Sequence, residues 1–199
     1  MQPIYTIGHS SQSLESFMEQ LQRHTVEVVA DVRSRPYSAR FPHFSREPLQ
    51  ASLAAAGIRY LFLGRELGAR REETECYVSG QATYHNIAKL AAFADGIDRL
   101  LAGAERYGIA LMCAEQDPLT CHRSILVCRE LKQHAVLIRH ICRAGRLEDQ
   151  QQAERRLVEE ELGNPEQGEM FAPARGFPEM LEMAYARRAG TIAYRLDGR

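Results

Sequence analysis

The sequence predicts an α/β protein: a mainly parallel sheet of roughly five strands, helices on both faces, and a short C-terminal helical appendage. Three observations carry this. Short β-rich runs alternate with segments whose apolar residues recur at helical spacing, the pattern of βαβ units. The run VEVVADVRS is too apolar to have one wet face, so both faces of the sheet there are covered. The chain has 199 residues, 45% of them hydrophobic, which suits one ordinary domain with a real core and a modest appendage.

The elements follow in order. PIYTIGH reads as a first strand. SLESFMEQLQRH follows, with Leu14, Phe17, Met18 and Leu21 on one helical face and Ser13 as N-cap. VEVVADVRS is the second strand. SREPLQASLAAAG is a helix that starts near Ser45 and stops at Gly57. IRYLFLG is the third strand. The polar stretch RELGARREETECYVSGQATYHN is too long for a tight turn, so it is a functional or surface loop. A helical region from about Ile87 to Tyr107 carries Gly96, a candidate break. IALMCAE is the fourth strand, CHRSILVCRELKQH the next helix and AVLIRHI the fifth strand. LEDQQQAERRLVEEEL reads as a charged helix with a narrow apolar stripe at Ala153, Leu157 and Leu162.

These elements place a core domain at 1–162. The extension 163–199 begins with a Gly- and Pro-containing linker and continues into a helix around PEMLEMAYARRAG and a brief TIAYR. It is expected to pack on the core through Phe171, Phe177, Leu181 and Tyr185.

Composition excludes several classes. A formal net charge of -1 offers no whole-chain attraction to nucleic acid or an anionic membrane, so phosphate affinity must be local. The N-terminus has no secretory pattern, and no apolar run approaches the roughly 20 residues a membrane span needs. Five cysteines, an odd number, do not read as a disulfide framework. Free thiols in a cytoplasmic protein are expected.

In an open parallel sheet, ligands bind beyond the carboxyl ends of the strands. The first strand ends in His9 and Ser10, the second in Asp31, Arg33 and Ser34, the fourth in Cys113 and Glu115. The period of two puts Asp31 with Arg33 and Cys113 with Glu115. If the two strands are neighbours, an acid–arginine pair faces a thiol–carboxylate pair across one pocket. Thr120 as N-cap would set Cys121, His122 and Arg123 in a first helical turn, where free N–H groups attract anions and lower a thiol's pKa. The stretch RSRPYSARFPHFSR, from Arg33 to Arg46, interleaves arginines with Tyr37, Phe41 and Phe44 and carries no acid, a pattern that can grip phosphates and stack bases.

No metal is expected. Cys113, Cys121, His122 and His9 are zinc-ligand types, but they lack ligand pairs two to four residues apart. Adjacent Cys121 and His122 would diverge by about 100° on a helix. A hydrolytic metal on His9, Asp31 and Glu115 has no motif behind it. The spacing from Cys113 to Arg123 is longer than a cysteine-phosphatase loop, so that signature is absent as well.

The motifs TIGHS, ADVRSRPYS, GIRYLFLGRELG and LMCAEQDPLTCHRSI, in this order, resemble the bacterial and archaeal family called domain of unknown function 488. The likeness runs from Thr6 to about Leu147, and AYARRAGTIAY is similar to some members. It implies motif positions rather than a reaction: Gly8, His9, Ser10, Asp31, Arg33, Ser34, Pro36, Gly64, Leu67, Gly68, Cys113, Glu115, Cys121, His122 and Arg123. Ala69 stands where members often carry a second glycine.

The functional expectation is an enzyme acting on an anionic substrate, a nucleotide, nucleic acid or other phosphorylated compound. Glu115, Cys113, Asp31 and His9 would do the chemistry. Arg33, Ser34, Ser10, Cys121, His122 and Arg123 would hold the substrate. The alternatives are a non-catalytic nucleic-acid or ligand-binding module built on the loop 33–46, and a structural zinc protein. The sequence names no cofactor and no oligomeric state, and it predicts no membrane partner.

Overall fold

The computed structural model describes residues 2–163 and 176–196. Strand β1 (Ile4–Gly8) leads to α1 (Leu14–Arg23), β2 (Val28–Asp31), α2 (Arg46–Ala55), β3 (Arg59–Phe62) and the single turn α3 (Gly64–Leu67). The long polar connection folds into a hairpin, β4 (Tyr77–Val78) with β5 (Gln81–Ala82), and a turn of helix, α4 (Tyr84–Ile87). Then come α5 (Ala91–Ala104) and β6 (Ile109–Cys113). A π-helical segment (Arg123–Cys128) runs into α6 (Arg129–Leu131). β7 (Ile138–Ile141), β8 (Leu147–Asp149), α7 (Gln150–Leu162) and α8 (Phe177–Ile192) complete the order.

The main sheet has six strands in the order β3-β2-β6-β1-β7-β8. All neighbours are parallel except β7 and β8. The sixth strand comes from residues 147–149, which the periodicity assigns to a helix. Here Asp149 is the N-cap, in a capping box with Gln152, so the helix cannot extend back through it. Ser13 caps α1 as expected, accepting from the Ser16 N–H at 3.2 Å.

Alternation along the strands feeds two apolar layers. Val29, Ala110, Met112 and Ile7 meet Phe17, Leu21, Leu49 and Leu53 of α1 and α2. Val28, Ala30, Leu111 and Ile4 meet α5, the π segment, α7 and α8 on the other face. Helix α5 passes through Gly96 without a break. A Cβ there would lie 2.8 Å from the Glu66 and Leu67 side chains, so the glycine lets α3 press against α5. In the extension, Leu181 and Tyr185 are buried as expected. Phe177, at the mouth of α8, is 41% exposed and corrects that part of the expectation. Phe171 lies outside the described residues. TIAYR contributes one bridge, Gln81 to Arg195, rather than a strand. No helix among the described residues is long and apolar enough to cross a membrane.

β6 enters the sheet between β1 and β2 although it follows both in sequence by many residues. This brings the ends of three strands together. The His9 N–H donates to the Cys113 carbonyl at 3.0 Å, and Val32 N–H to Met112 at 3.1 Å. The ends of β1, β2 and β6 thereby meet at one crest of the sheet.

Candidate functional site

A cavity of about 530 Å³ opens at this crest. His9, Arg33, Ser34, Cys113, Glu115, Cys121 and His122 line it, so seven of the ten expected site residues meet there. Asp31, Ser10 and Arg123 do not, and each has a physical reason.

Asp31 is fully buried. The register pairs it with Met112, which places its side chain on the opposite face of the sheet from Cys113. The conjecture that the two pairs face each other across the pocket is corrected accordingly. Arg33 donates to both Asp31 oxygens, Nε to Oδ1 at 2.9 Å and Nη2 to Oδ2 at 2.6 Å. The Arg33 N–H and the Tyr60 hydroxyl take one further position on each oxygen. With its lone pairs engaged, Asp31 anchors Arg33 and is not placed to move a substrate proton. Ser10 sits in the left-handed region at φ 43 and spends its N–H on the Ala114 carbonyl.

Arg123 is also fully buried. It donates Nη1 to the Glu115 carbonyl at 2.6 Å, Nη2 to the Gln116 carbonyl at 3.0 Å and Nε to Thr6 Oγ1 at 3.3 Å. It therefore pins the loop after β6 instead of reaching a ligand. No ion pair joins it to a carboxylate among the described residues. Gly8 permits the same close packing from the other side, since a Cβ there would sit 1.7 Å from the Glu115 carbonyl oxygen.

The expected first helical turn is built differently. Asp117 caps a short 3-10 turn, Pro118–Thr120, and Thr120 closes it. Cys121 is extended at φ -134, ψ 141, and its carbonyl accepts from Ser124 and Ile125. Cys121 is thus the cap of the following helix, and its sulfur accepts the Arg123 N–H at 3.4 Å. Because Cys121 is not helical, the 100° divergence from His122 does not apply. Cys113 Sγ is 3.7 Å and Cys121 Sγ 3.9 Å from His122 Nδ1. Nε2 lies 3.0 Å from the Val32 carbonyl, which can only accept, so Nε2 carries the proton. Cys113 donates to Glu115 Oε2 at 3.2 Å.

These contacts divide the titrations. The hydrogen bond to Cys121, reinforced by burial, pushes the Cys113 thiol well above the usual range. Burial pushes Cys121 up too, but the Cys113 hydrogen bond and the Arg123 guanidinium overcome it and hold Cys121 well below an ordinary thiol. Burial raises Glu115, with the Cys121 sulfur adding to it. Burial disfavours charge on His122, but the hydrogen bond to Cys121 outweighs that and raises it. His9 falls to about 4 because burial and then Arg33 disfavour its charge. Its Nδ1 donates to the Ser10 carbonyl at 3.1 Å and its Nε2 accepts from Arg33 at 3.3 Å, so both nitrogens are engaged in a neutral ring.

The family model described as Domain of unknown function DUF488 matches residues 13–129. The chain belongs to that family. The DUF488 match is narrower than the likeness read from the motifs, leaving His9 and Ser10 before it and the extension after it. No curated protein and no solved structure matches the chain.

Some wall residues of this DUF488 member carry no strand-end signal and were not expected at the site. Arg70 comes from the connection after β3, and its guanidinium stacks on Tyr194 at 4.8 Å. Tyr84 comes from α4, and Ile192 and Tyr194 from the end of the extension. The extension therefore builds part of the pocket as well as packing on the core. In the arginine–aromatic loop, Phe44 is core, Arg40 stacks on Phe41 and Arg46 on Phe62. Tyr37 alone of the three aromatics stays open, at 74% exposure.

Proposed function

We propose that the chain is an enzyme acting on a small phosphorylated substrate of nucleotide size. The observation that carries this is the lining of the pocket, which brings Arg33, Arg35 and Arg70 together with Cys113, Glu115, Cys121 and His122. Its volume of about 530 Å³ suits a small ligand better than a polymer. Arginine forks match phosphate oxygens, and exposed Tyr37 at the rim offers a face for a base. Among the described residues Glu115 is the one carboxylate in the lining, so it is the group placed to take or give a proton. The nucleic-acid-module reading is less favoured because Phe44 is core and the guanidinium groups of Arg40 and Arg46 stack on Phe41 and Phe62.

The test uses nucleotides and sugar phosphates, followed by thermal shift for binding and by product release for turnover. Binding weakened at least about tenfold in Arg35→Gln, and turnover lost in Glu115→Gln with binding kept, is the expected pattern. Binding that ignores Arg35, or turnover that survives Glu115→Gln, counts against the proposal.

A further inference from the structure

We propose that Cys113, Cys121 and His122 form a zinc site whose fourth coordination position opens into the pocket. The three ligand atoms lie within 4.8 Å of one another. With zinc–sulfur and zinc–nitrogen bonds of about 2.3 and 2.05 Å, a tetrahedral ion sets its sulfur and nitrogen ligands about 3.6 Å apart. The two sulfur–nitrogen distances here are 3.7 and 3.9 Å. Both sulfur–nitrogen separations thus suit one ion, and the sulfurs, within 4.8 Å of each other, would close to about 3.8 Å around it.

The surroundings are those of a ligand set. The Nε2–H of His122 is fixed on the Val32 carbonyl, which turns the Nδ1 lone pair toward both sulfurs. A backbone carbonyl orienting the far nitrogen is the usual support of a metal-bound histidine. The Arg123 N–H points at Cys121 Sγ. Among the described residues, the buried Arg123 guanidinium has carbonyls and a hydroxyl as its hydrogen-bond acceptors and no carboxylate. A buried cation is stabilised by nearby negative charge, and the sulfurs of a zinc-bound pair would supply it, since metal binding deprotonates both thiols. Two thiolates and an imidazole favour zinc over the harder cations.

Three protein ligands leave a position for water or substrate, the arrangement of a catalytic rather than a structural site. All three ligands line the pocket next to Glu115, so that position faces the cavity. Zinc binding releases the proton of each thiol that still carries one. A phosphate oxygen or a water could then bind the ion, with Glu115 beside it. This last step rests on the anion-pocket reading; the three-ligand site does not.

The full-length protein, reduced and stripped with chelator, is titrated with cobalt(II). The expected result is near-ultraviolet thiolate-to-cobalt absorption and intense visible bands of a tetrahedral ion, complete at one equivalent and bleached by zinc. Cys113→Ser, Cys121→Ser and His122→Gln each weaken zinc binding at least about 100-fold, the upper end of what loss of an outer-shell partner alone costs. Cys142→Ala, at a buried free cysteine outside the cluster, does not. Absence of the charge-transfer absorption in the wild type overturns the site whether or not the variants fold. Retention of wild-type affinity in the folded ligand variants overturns it too. Inorganic phosphate should shift the visible bands, and unmoved bands overturn the open fourth position. Phosphate binding to the metal-free protein, compared with Arg35→Gln, tests the pocket separately. Its failure beside an intact cobalt spectrum removes the anion reading and leaves the zinc site.

Discussion

His140 gives the sharpest stability prediction. It is fully buried at the centre of a polar chain. Arg123 Nε donates to Thr6 Oγ1, which lies 2.8 Å from His140 Nδ1. His140 Nε2 lies 2.9 Å from Gln150 Oε1. An amide oxygen accepts, so Nε2 carries the proton and Nδ1 accepts from Thr6. The neutral ring satisfies both neighbours, and a second ring proton would face the Thr6 hydroxyl. Burial, followed by the Arg123 charge, lowers its pKa from 6.5 to about 4, against the smaller raising effects of the Gln150 hydrogen bond and Glu148. The unfolded chain therefore takes up a proton below 6.5 that the folded chain refuses until about 4. This stability is present above pH 6.5 and is lost as the pH falls through 4. Linkage puts the loss at about 2 kcal/mol by pH 5 and about 3 kcal/mol by pH 4. Urea unfolding of wild type and His140→Gln at pH 8 and pH 5 isolates it, because His9, Glu115 and the surface carboxylates cancel in the difference. The variant should lose about 2 kcal/mol less than the wild type over that interval. Equal losses, within the additivity error of about 0.5 kcal/mol, would refute the reasoning.

Three further expectations follow from the same geometry. Tyr60→Phe removes the hydroxyl donor to Asp31 Oδ2 at 2.7 Å and should cost about 1–2 kcal/mol in chemical denaturation, with phosphate binding unchanged because Arg33 still holds Asp31. Gly8→Ala forces a methyl into the Glu115 carbonyl and should cost at least about 2 kcal/mol; a variant as stable as wild type would mean that the β1 end and the loop after β6 are not tightly apposed. Arg156 ties Asp117, the cap of the turn before Cys121, to Glu148 of β8. At 31% exposure, Arg156→Gln should cost about 1 kcal/mol and speed proteolysis near residues 117–121, and an unchanged cleavage rate there would argue against the tie.

The sequence alone determined the alternation of strands and helices, the N-cap at Ser13, the two-sided burial of β2 and the strand ends where polar groups collect. These are local signals. Periodicity reports which residues share a face, a cap competes for the first free N–H groups, and strand ends point to the crevice of a parallel sheet. Membership of the DUF488 family was likewise legible in four ordered motifs.

Tertiary structure decided the rest. Insertion of β6 between β1 and β2 set the register that puts Asp31 and Cys113 on opposite faces, which no single-strand pattern encodes. Burial without a carboxylate made Arg123 a brace for the loop instead of a ligand arm. Arg70, Tyr84 and Tyr194 reach the pocket from segments distant in sequence. The extended backbone at Cys121 overturned a projection drawn on an ideal helix and let adjacent Cys121 and His122 converge with Cys113. A sequence lists which side chains are available; the direction each one points depends on backbone angles and strand order, and those are set by the packing of the whole chain.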